Sequence, residues 1–184
     1  MDNGACSYRR YLAGDDGGLA EIIIEYRDGL IYFLNGFVND LDAAEDLAED
    51  VFVKLAVRKP RFGERSSFKT WLYAIGRNEA YQSMRRRKLS YTPLDDLPET
   101  PDAGDGPEDA YFRDEEKRAL HRCLSRVKSE YHQALWLYYF EGFPAKDIAV
   151  VMKKSVHGVE SLLYRARNAV KRELETEGFD DENI

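Results

Sequence analysis

Four of the chain's six prolines, Pro93, Pro98, Pro101 and Pro107, fall in the stretch Tyr91–Pro107, together with Gly104 and Gly106. Such a segment cannot propagate a helix and offers little apolar surface for a core. It reads as an extended linker dividing the 184 residues into two small compact units, both free of internal proline over long reaches. The boundaries fall at 1–88 for the first unit, 89–112 for the linker, 113–176 for the second unit and 177–184 for a tail.

Both units carry helical periodicity and no alternating strand pattern, so the fold class is all-α. From Leu41, apolar residues recur at Ala44, Leu47, Ala48, Val51, Phe52 and Leu55, the spacing of one buried helix face. Asp42, Glu45, Asp46, Glu49 and Asp50 fall largely on the other face. Asp40 or Asp42 is placed to cap the start, and the helix ends near Pro60. A helix over Ser67–Lys88 carries Phe68, Trp71, Leu72, Ile75 and Tyr81. An earlier one over Leu19–Phe37 is apolar at Ile23, Tyr26, Leu30, Phe33, Leu34 and Phe37. In the second unit, Ala119, Leu120, Cys123, Leu124 and Val127 form one stripe; Ala134, Leu135, Leu137, Tyr138 and Phe140 form another.

Charge is sorted along the chain, which the net value of −7 conceals. Residues 54–88 hold eleven Lys or Arg against two Glu, and residues 153–172 hold six against one. Between them, residues 89–112 hold seven acids and no base, and the tail from Glu173 is acidic again. Two basic blocks separated by an acidic spacer suit a polyanion partner, with the spacer insulating the blocks. Either block alone could be a solvated face.

The second block carries a motif. Ala145–Met152, a short turn and Val156–Arg167 have helix-turn-helix spacing, with Ile148, Met152, Val159 and Leu162 inward and Ala149 small enough for a close crossing. Ser155 can cap the second helix. His157, Glu160, Ser161 and Tyr164 then project where base edges would lie, while Arg165, Arg167, Lys171 and Arg172 suit phosphates. The bland alternative is a helical hairpin within a core. In the first block, Arg61, Phe62, Arg65, Ser66, Ser67, Phe68, Lys69 and Trp71 interleave cations with aromatics and lead to Tyr73, Arg77, Asn78 and Tyr81, a combination suited to single-stranded nucleic acid. Trp71 itself is more economically a core residue.

Several function classes find no support. Cys6 and Cys123 form no CxxC pair, and His121, His132 and His157 show no HExxH spacing, so neither a metal site nor a cofactor is expected. No Gly-rich phosphate loop or nucleophile elbow is present, so an enzyme is not expected. No apolar run approaches a membrane span, Met1-Asp2-Asn3-Gly4 lacks the flank of a secretory signal, and a reducing cytoplasm fits best.

The residues support a family resemblance. Asp42–Leu55 resembles the core-binding helix of bacterial sigma factors, Phe68–Asn78 resembles their promoter-melting, −10-reading helix, and Tyr164-Arg165-Ala166-Arg167 is similar to the end of their −35-reading domain. Their order, with no domain between, points to the extracytoplasmic-function (ECF) group. The resemblance spans roughly Leu19 to Leu174. It implies a factor that binds core RNA polymerase, directs it to promoters and melts the −10 region. By position, Asp42, Glu45, Asp46, Glu49 and Asp50 would face the clamp of the largest polymerase subunit, and the second domain would sit on the flap of the other. Phe62, Arg65, Ser66, Ser67, Lys69, Arg77, Asn78, Tyr81 and Arg85 would meet single-stranded −10 DNA, the loop from Phe62 to Ser67 pocketing a flipped base. Ser155, His157, Glu160, Ser161, Tyr164, Arg165, Arg167 and Lys171 would meet the −35 duplex. An anti-sigma factor is a further implied partner. Gln82, Lys153, Gly158 and Glu160 depart from the family pattern and bear on base preference. The competing reading of the residues is an autonomous helix-turn-helix regulator, which the acidic linker and net charge disfavour.

Overall fold

The computed structural model describes residues 2–90 and 123–176, all of whose regular elements are helical. Apart from Leu89 and Ser90, which continue α4 past the expected boundary at 88, the acidic linker lies outside the described residues, as do the stripe residues Ala119 and Leu120 and the tail.

The first unit begins with a helix that periodicity did not reveal, α1 (Asn3–Leu12). Asp2 makes it possible. Its Oδ1 accepts from the backbone N–H of Ala5 at 3.1 Å, while Oδ2 accepts from that of Phe68 at 2.6 Å. One carboxylate thus caps two helices. α2 (Gly17–Val38) ends where Asn39 turns left-handed at φ 49°. Asp40 then caps α3 (Leu41–Arg58) through the Ala43 N–H, so of the two candidate caps Asp40 is the one used. The expected stripe of α3 is buried throughout, and Lys59, at φ 43°, closes the helix before Pro60. α4 (Phe68–Ser90) starts from Ser67, whose hydroxyl accepts from the Thr70 N–H at 3.1 Å. α2 packs against α1, α3 and α4, and its Leu30, Phe33 and Leu34 are fully enclosed.

In the second unit a helical turn at 123–126 precedes α5 (Ser129–Leu135), which widens into a π-helical turn over Trp136–Phe140. The Glu141 N–H bonds back to Trp136 O, five residues earlier, and the Phe143 N–H to Leu137 O. The wider turn shifts the helical phase. This corrects the expected stripe: Trp136 and Leu137 are buried, whereas Tyr138 stands at the surface beside Tyr139. α6 (Ala145–Met152) and α7 (Val156–Thr176) follow.

The two units are not separate bodies. α2 and α4 pack on α5, the π turn and α6, and both units contribute to one continuous apolar cluster. Trp136, fully buried, lies 5.2 Å from the Tyr32 ring and donates from Nε1 to Gly29 O at 3.1 Å. The Ser129 hydroxyl donates to Gly36 O. A Cβ at Gly36 would stand 2.7 Å from the His132 ring, and one at Gly29 would strike the Glu141 carboxylate and the Tyr73 hydroxyl. Gly29, in mid-helix at a cost of about 1 kcal/mol relative to alanine, and Gly36, in the last turn, are what lets α2 approach the second unit so closely. A proline-rich linker leaves docking undetermined; glycines seven residues apart on one helix face permit it.

Candidate nucleic-acid interface

Three surfaces gather the residues singled out by the sequence. On α3, Asp42, Asp46, Glu49 and Asp50 are exposed, while Glu45 is half-buried and 3.4 Å from Arg27. Val53 and Val57, the latter 76% exposed, continue this face toward the C-terminus, one and two turns beyond Glu49. Their position off the buried stripe was the only signal for them. The result is an acidic face ending in an apolar patch, suited to docking a basic protein surface that also offers apolar side chains.

The second surface is the loop between α3 and α4. Lys59 and Glu64 both take left-handed backbone, folding the loop back on itself. Arg61, Phe62, Gly63, Glu64, Arg65, Ser66 and Trp71 line an open recess of about 430 Å³. Its aromatic wall is built from within: Phe62 meets Phe68 edge-on at 5.6 Å and Trp71 at 5.2 Å, and Tyr8 backs both Phe68 and Trp71 at 5.4 Å. Trp71 is half-buried in this cluster, packed on Phe68 and Tyr8 as the core reading expected, and it also lines the recess. Tyr8 donates to Pro60 O at 2.7 Å, and burial pushes its phenol up to about 12, keeping it a proton donor across neutral pH. Tyr11 donates to Ala56 O, and Arg9 pairs with Glu64 at 3.1 Å. The unforeseen α1 is therefore the loop's scaffold. Ser67 is not among the residues lining the recess, and its side chain is engaged in starting α4, which lowers its availability to a ligand.

Along α4, Arg77 stacks over the Tyr81 ring at 4.5 Å, and Tyr81 rests edge-on against Phe37 at 5.5 Å. Tyr81 and Arg85 are exposed, so two cations, Arg77 and Arg85, flank one aromatic ring beyond the recess. Lys69 and Asn78 are held from the second unit. The Lys69 ammonium donates to the Glu141 carboxylate at 2.8 Å and to Glu141 O at 2.9 Å. Asn78 Oδ1 accepts from the Lys153 ammonium at 2.8 Å.

The third surface is α6–turn–α7. Ile148, Ala149, Met152, Val159 and Leu162 are buried as the spacing required. Lys153 forms the turn at φ 54°, a left-handed conformation with a steric penalty that glycine would avoid. Ser155 Oγ accepts from the Gly158 N–H at 3.0 Å, so Ser155 caps α7. On the outer face His157 and Tyr164 are 91% and 68% exposed in side chain and residue respectively. Glu160 is exposed 3.9 Å from His157, and Ser161 is half-buried. The Arg165 guanidinium donates to Ser161 O at 3.2 Å. Arg167 donates to the Tyr139 hydroxyl at 2.9 Å and lies over both Tyr138 and Tyr139. The π turn thus exposes the two tyrosines that aim Arg167, of which periodicity had placed Tyr138 on the buried stripe. Lys171 is exposed one turn beyond.

A helix-turn-helix with an open recognition face, joined to a basic and aromatic surface suited to unpaired bases, defines a two-part DNA-binding regulator.

Residues 22–89 match the family model of Sigma-70 region 2, and residues 117–170 match that of Sigma-70 region 4. The chain is 30% identical over 175 residues to the RNA polymerase sigma-H factor of Pseudomonas aeruginosa, covering 90% of this chain and 91% of that protein. It is 29% identical over 164 residues to the ECF RNA polymerase sigma factor SigM of Bacillus subtilis, covering 88% and 98%. In fold it is similar to the sigma factor RpoE of Bartonella quintana, solved with the anti-sigma factor NepR, at a TM-score of 0.63, with 23% identity and coverage of 85% and 96%. CnrH, solved with the cytosolic domain of CnrY, gives a TM-score of 0.67 at 18% identity, covering 95% and 99%. The chain belongs to the sigma-70 family of RNA polymerase sigma factors, in its extracytoplasmic-function group. It directs core RNA polymerase to promoters and initiates transcription by recognising −10 and −35 elements and melting the −10 region. Among the described residues no helix is long and apolar enough to cross a membrane.

Proposed function

We propose that the three surfaces divide this work by residue. The α3 face of Asp42, Glu45, Asp46, Glu49 and Asp50, with Val53 and Val57, docks on the clamp of the largest polymerase subunit. The recess at Phe62, Arg65 and Ser66 receives an unstacked −10 base, with Ser67 next in the chain at the start of α4. Lys69, Arg77, Asn78, Tyr81 and Arg85 track the single strand beyond it. The α7 face carrying His157, Glu160, Ser161 and Tyr164 enters the −35 major groove, with Ser155, Arg165, Arg167 and Lys171 on its phosphates, while the second unit rests on the flap. Domain limits at 1–88 and 113–176, with 89–112 as an acidic spacer and 177–184 as a tail, complete the assignment. The chain works in the cytoplasm as a regulator without catalysis of its own, and an anti-sigma factor holds it inactive.

The observation that supports this reading best is the aromatic recess beside a basic helix, in the same chain as a recognition helix whose reading face is open. Run-off transcription tests it: core bacterial RNA polymerase, with and without the protein, on a pool of promoter fragments from its source. New start sites that need the protein are expected. Absence of transcripts together with no stable complex with core polymerase would reject the assignment in favour of an autonomous DNA-binding regulator.

A further inference from the structure

Arg167 is held by tyrosines where other arginines of the chain are held by acids. Arg9 pairs with Glu64, Arg10 with Asp15 and Glu21, and Arg27 with Asp28 and Glu45. Arg167 instead donates from Nε to the Tyr139 hydroxyl at 2.9 Å. Its guanidinium lies 5.2 Å from the centre of the Tyr138 ring and 5.7 Å from that of Tyr139. The two rings meet edge-on at 5.0 Å and so form a corner around it. Among the described residues no carboxylate pairs with Arg167.

The difference matters to an anionic ligand. A carboxylate would cancel the charge and compete for the same donors, whereas a phenol fixes the side chain and leaves its charge whole. Nε is one of five guanidinium N–H donors, so the four on the two Nη atoms remain for an acceptor. A phosphate takes two parallel N–H bonds from such a fork. An exposed arginine loses rotamer freedom when it binds, and here the phenol and the rings have already restricted it. Arg167 is exposed and follows Glu160 by seven residues and Tyr164 by three, so it ends the line of outward side chains on α7. A duplex seated on that face brings its backbone there. Tyr139 reaches this place through the π turn, which the bond from the Glu141 N–H to Trp136 O closes. Wider turns of this kind are frequent at functional sites.

We propose that Tyr139, backed by the ring of Tyr138, is a positioning residue for the −35 duplex that presents Arg167 as a preformed phosphate clamp beside the recognition helix. This rests on the assignment of the α7 face and of Arg167 to −35 DNA made above. Tyr139 acts on the backbone through Arg167 and not on base edges, so it sets affinity without changing which sequence is read.

Anisotropy titration of the full chain with a short degenerate DNA duplex, repeated over a potassium chloride series, tests this. The parent is compared with Tyr139→Phe, Tyr138→Phe, Arg167→Ala and the double variant carrying Tyr139→Phe and Arg167→Ala. Arg167→Ala should weaken binding and lessen the slope of log affinity against log salt by about 0.9, the value of one phosphate. Tyr139→Phe should weaken binding by about threefold to tenfold, the scale of one hydrogen bond. Tyr138→Phe keeps the ring and should bind as the parent does. With Arg167→Ala already present, Tyr139→Phe should lose nothing further, since the two act as one unit. Melting temperatures should agree, because Tyr139 is 53% exposed. Full affinity in Tyr139→Phe beside a weakened Arg167→Ala would overturn the proposal and leave Arg167 on the phosphates. An equal loss from Tyr139→Phe in both backgrounds would overturn it too, because the tyrosine would then act independently of Arg167. If Arg167→Ala changes neither affinity nor slope, or the parent binds no duplex, the assignment of this face to DNA falls and the proposal with it.

Discussion

The Lys153 ammonium donates a 2.8 Å hydrogen bond to the side-chain oxygen of Asn78, joining the turn of the helix-turn-helix to the middle of α4 across 75 residues. Lys153 keeps a left-handed backbone to stand there, at φ 54°. The pair ties the −35-reading unit to a residue assigned to −10 DNA, and it frames what substitutions at either end should do.

Asn78→Ala removes both the acceptor of the Lys153 hydrogen bond and the group proposed to read a base. Promoter opening, followed by permanganate reactivity of unpaired thymines, should fall by at least about tenfold, the scale of one lost polar contact to a base. Affinity for core polymerase should hold. Equal loss of both would show Asn78 to be structural.

Asp46→Arg combined with Glu49→Arg reverses the charge of an exposed helix face without touching the core. Complex formation with core polymerase, measured by native gel, should be abolished because like charges then oppose each other at the interface. Circular dichroism should be unchanged. Undiminished binding would remove this face from the polymerase contact.

Asp2→Ala leaves the N–H of Ala5 and that of Phe68 without their shared carboxylate. A loss of about 1–2 kcal/mol in urea unfolding is expected for caps of this kind. Because Phe68 backs the recess, strand binding should weaken as well. A change under about 0.5 kcal/mol would mean that water replaces the cap without cost.

Glu21 accepts from the Ser7 hydroxyl and pairs with Arg10 at 2.8 Å, and these contacts hold its carboxyl below the usual value. Asp15 is lowered by Arg10 and by the Gly17 N–H. A carboxyl depressed on folding contributes stability that is complete above its ordinary value and lost as pH falls toward the folded one. The α1–α2 junction should therefore loosen on acidification below about pH 4.5. Glu21→Gln should flatten that part of the Tm-against-pH curve while leaving neutral pH little changed; an identical acid limb in both proteins would remove Glu21 as its source.

Much of the site was legible in the residues because its determinants are local. The α3 stripe, the caps at Asp40 and Ser155, and the buried positions of the helix-turn-helix depend on neighbours three or four residues away, and each stands as the spacing required. The same holds for the acidic face and for the interleaved aromatics around Phe62 and Trp71. Ser67 was harder: a hydroxyl in a basic, aromatic loop suits DNA and a helix cap equally, and only the position of the Thr70 N–H assigns it to the cap.

What the chain order alone determined, then, was that α2, α3, α4, α6 and α7 are helices, which face α3 and the helix-turn-helix bury, and in what sequence the three surfaces occur, since periodicity and capping are properties of short windows. Tertiary structure decided the rest. α1 is short and rich in polar residues, and it holds its place because Tyr8, Tyr11 and Asp2 reach Pro60, Ala56 and Phe68, far along the chain. The π turn rotates Tyr138 to the surface by a change of phase that a regular period does not contain. The closure of one unit on the other depends on Gly29 and Gly36 meeting Glu141 and His132, partners more than ninety residues away. A glycine's missing side chain acquires meaning only when the surface that fills its place is known.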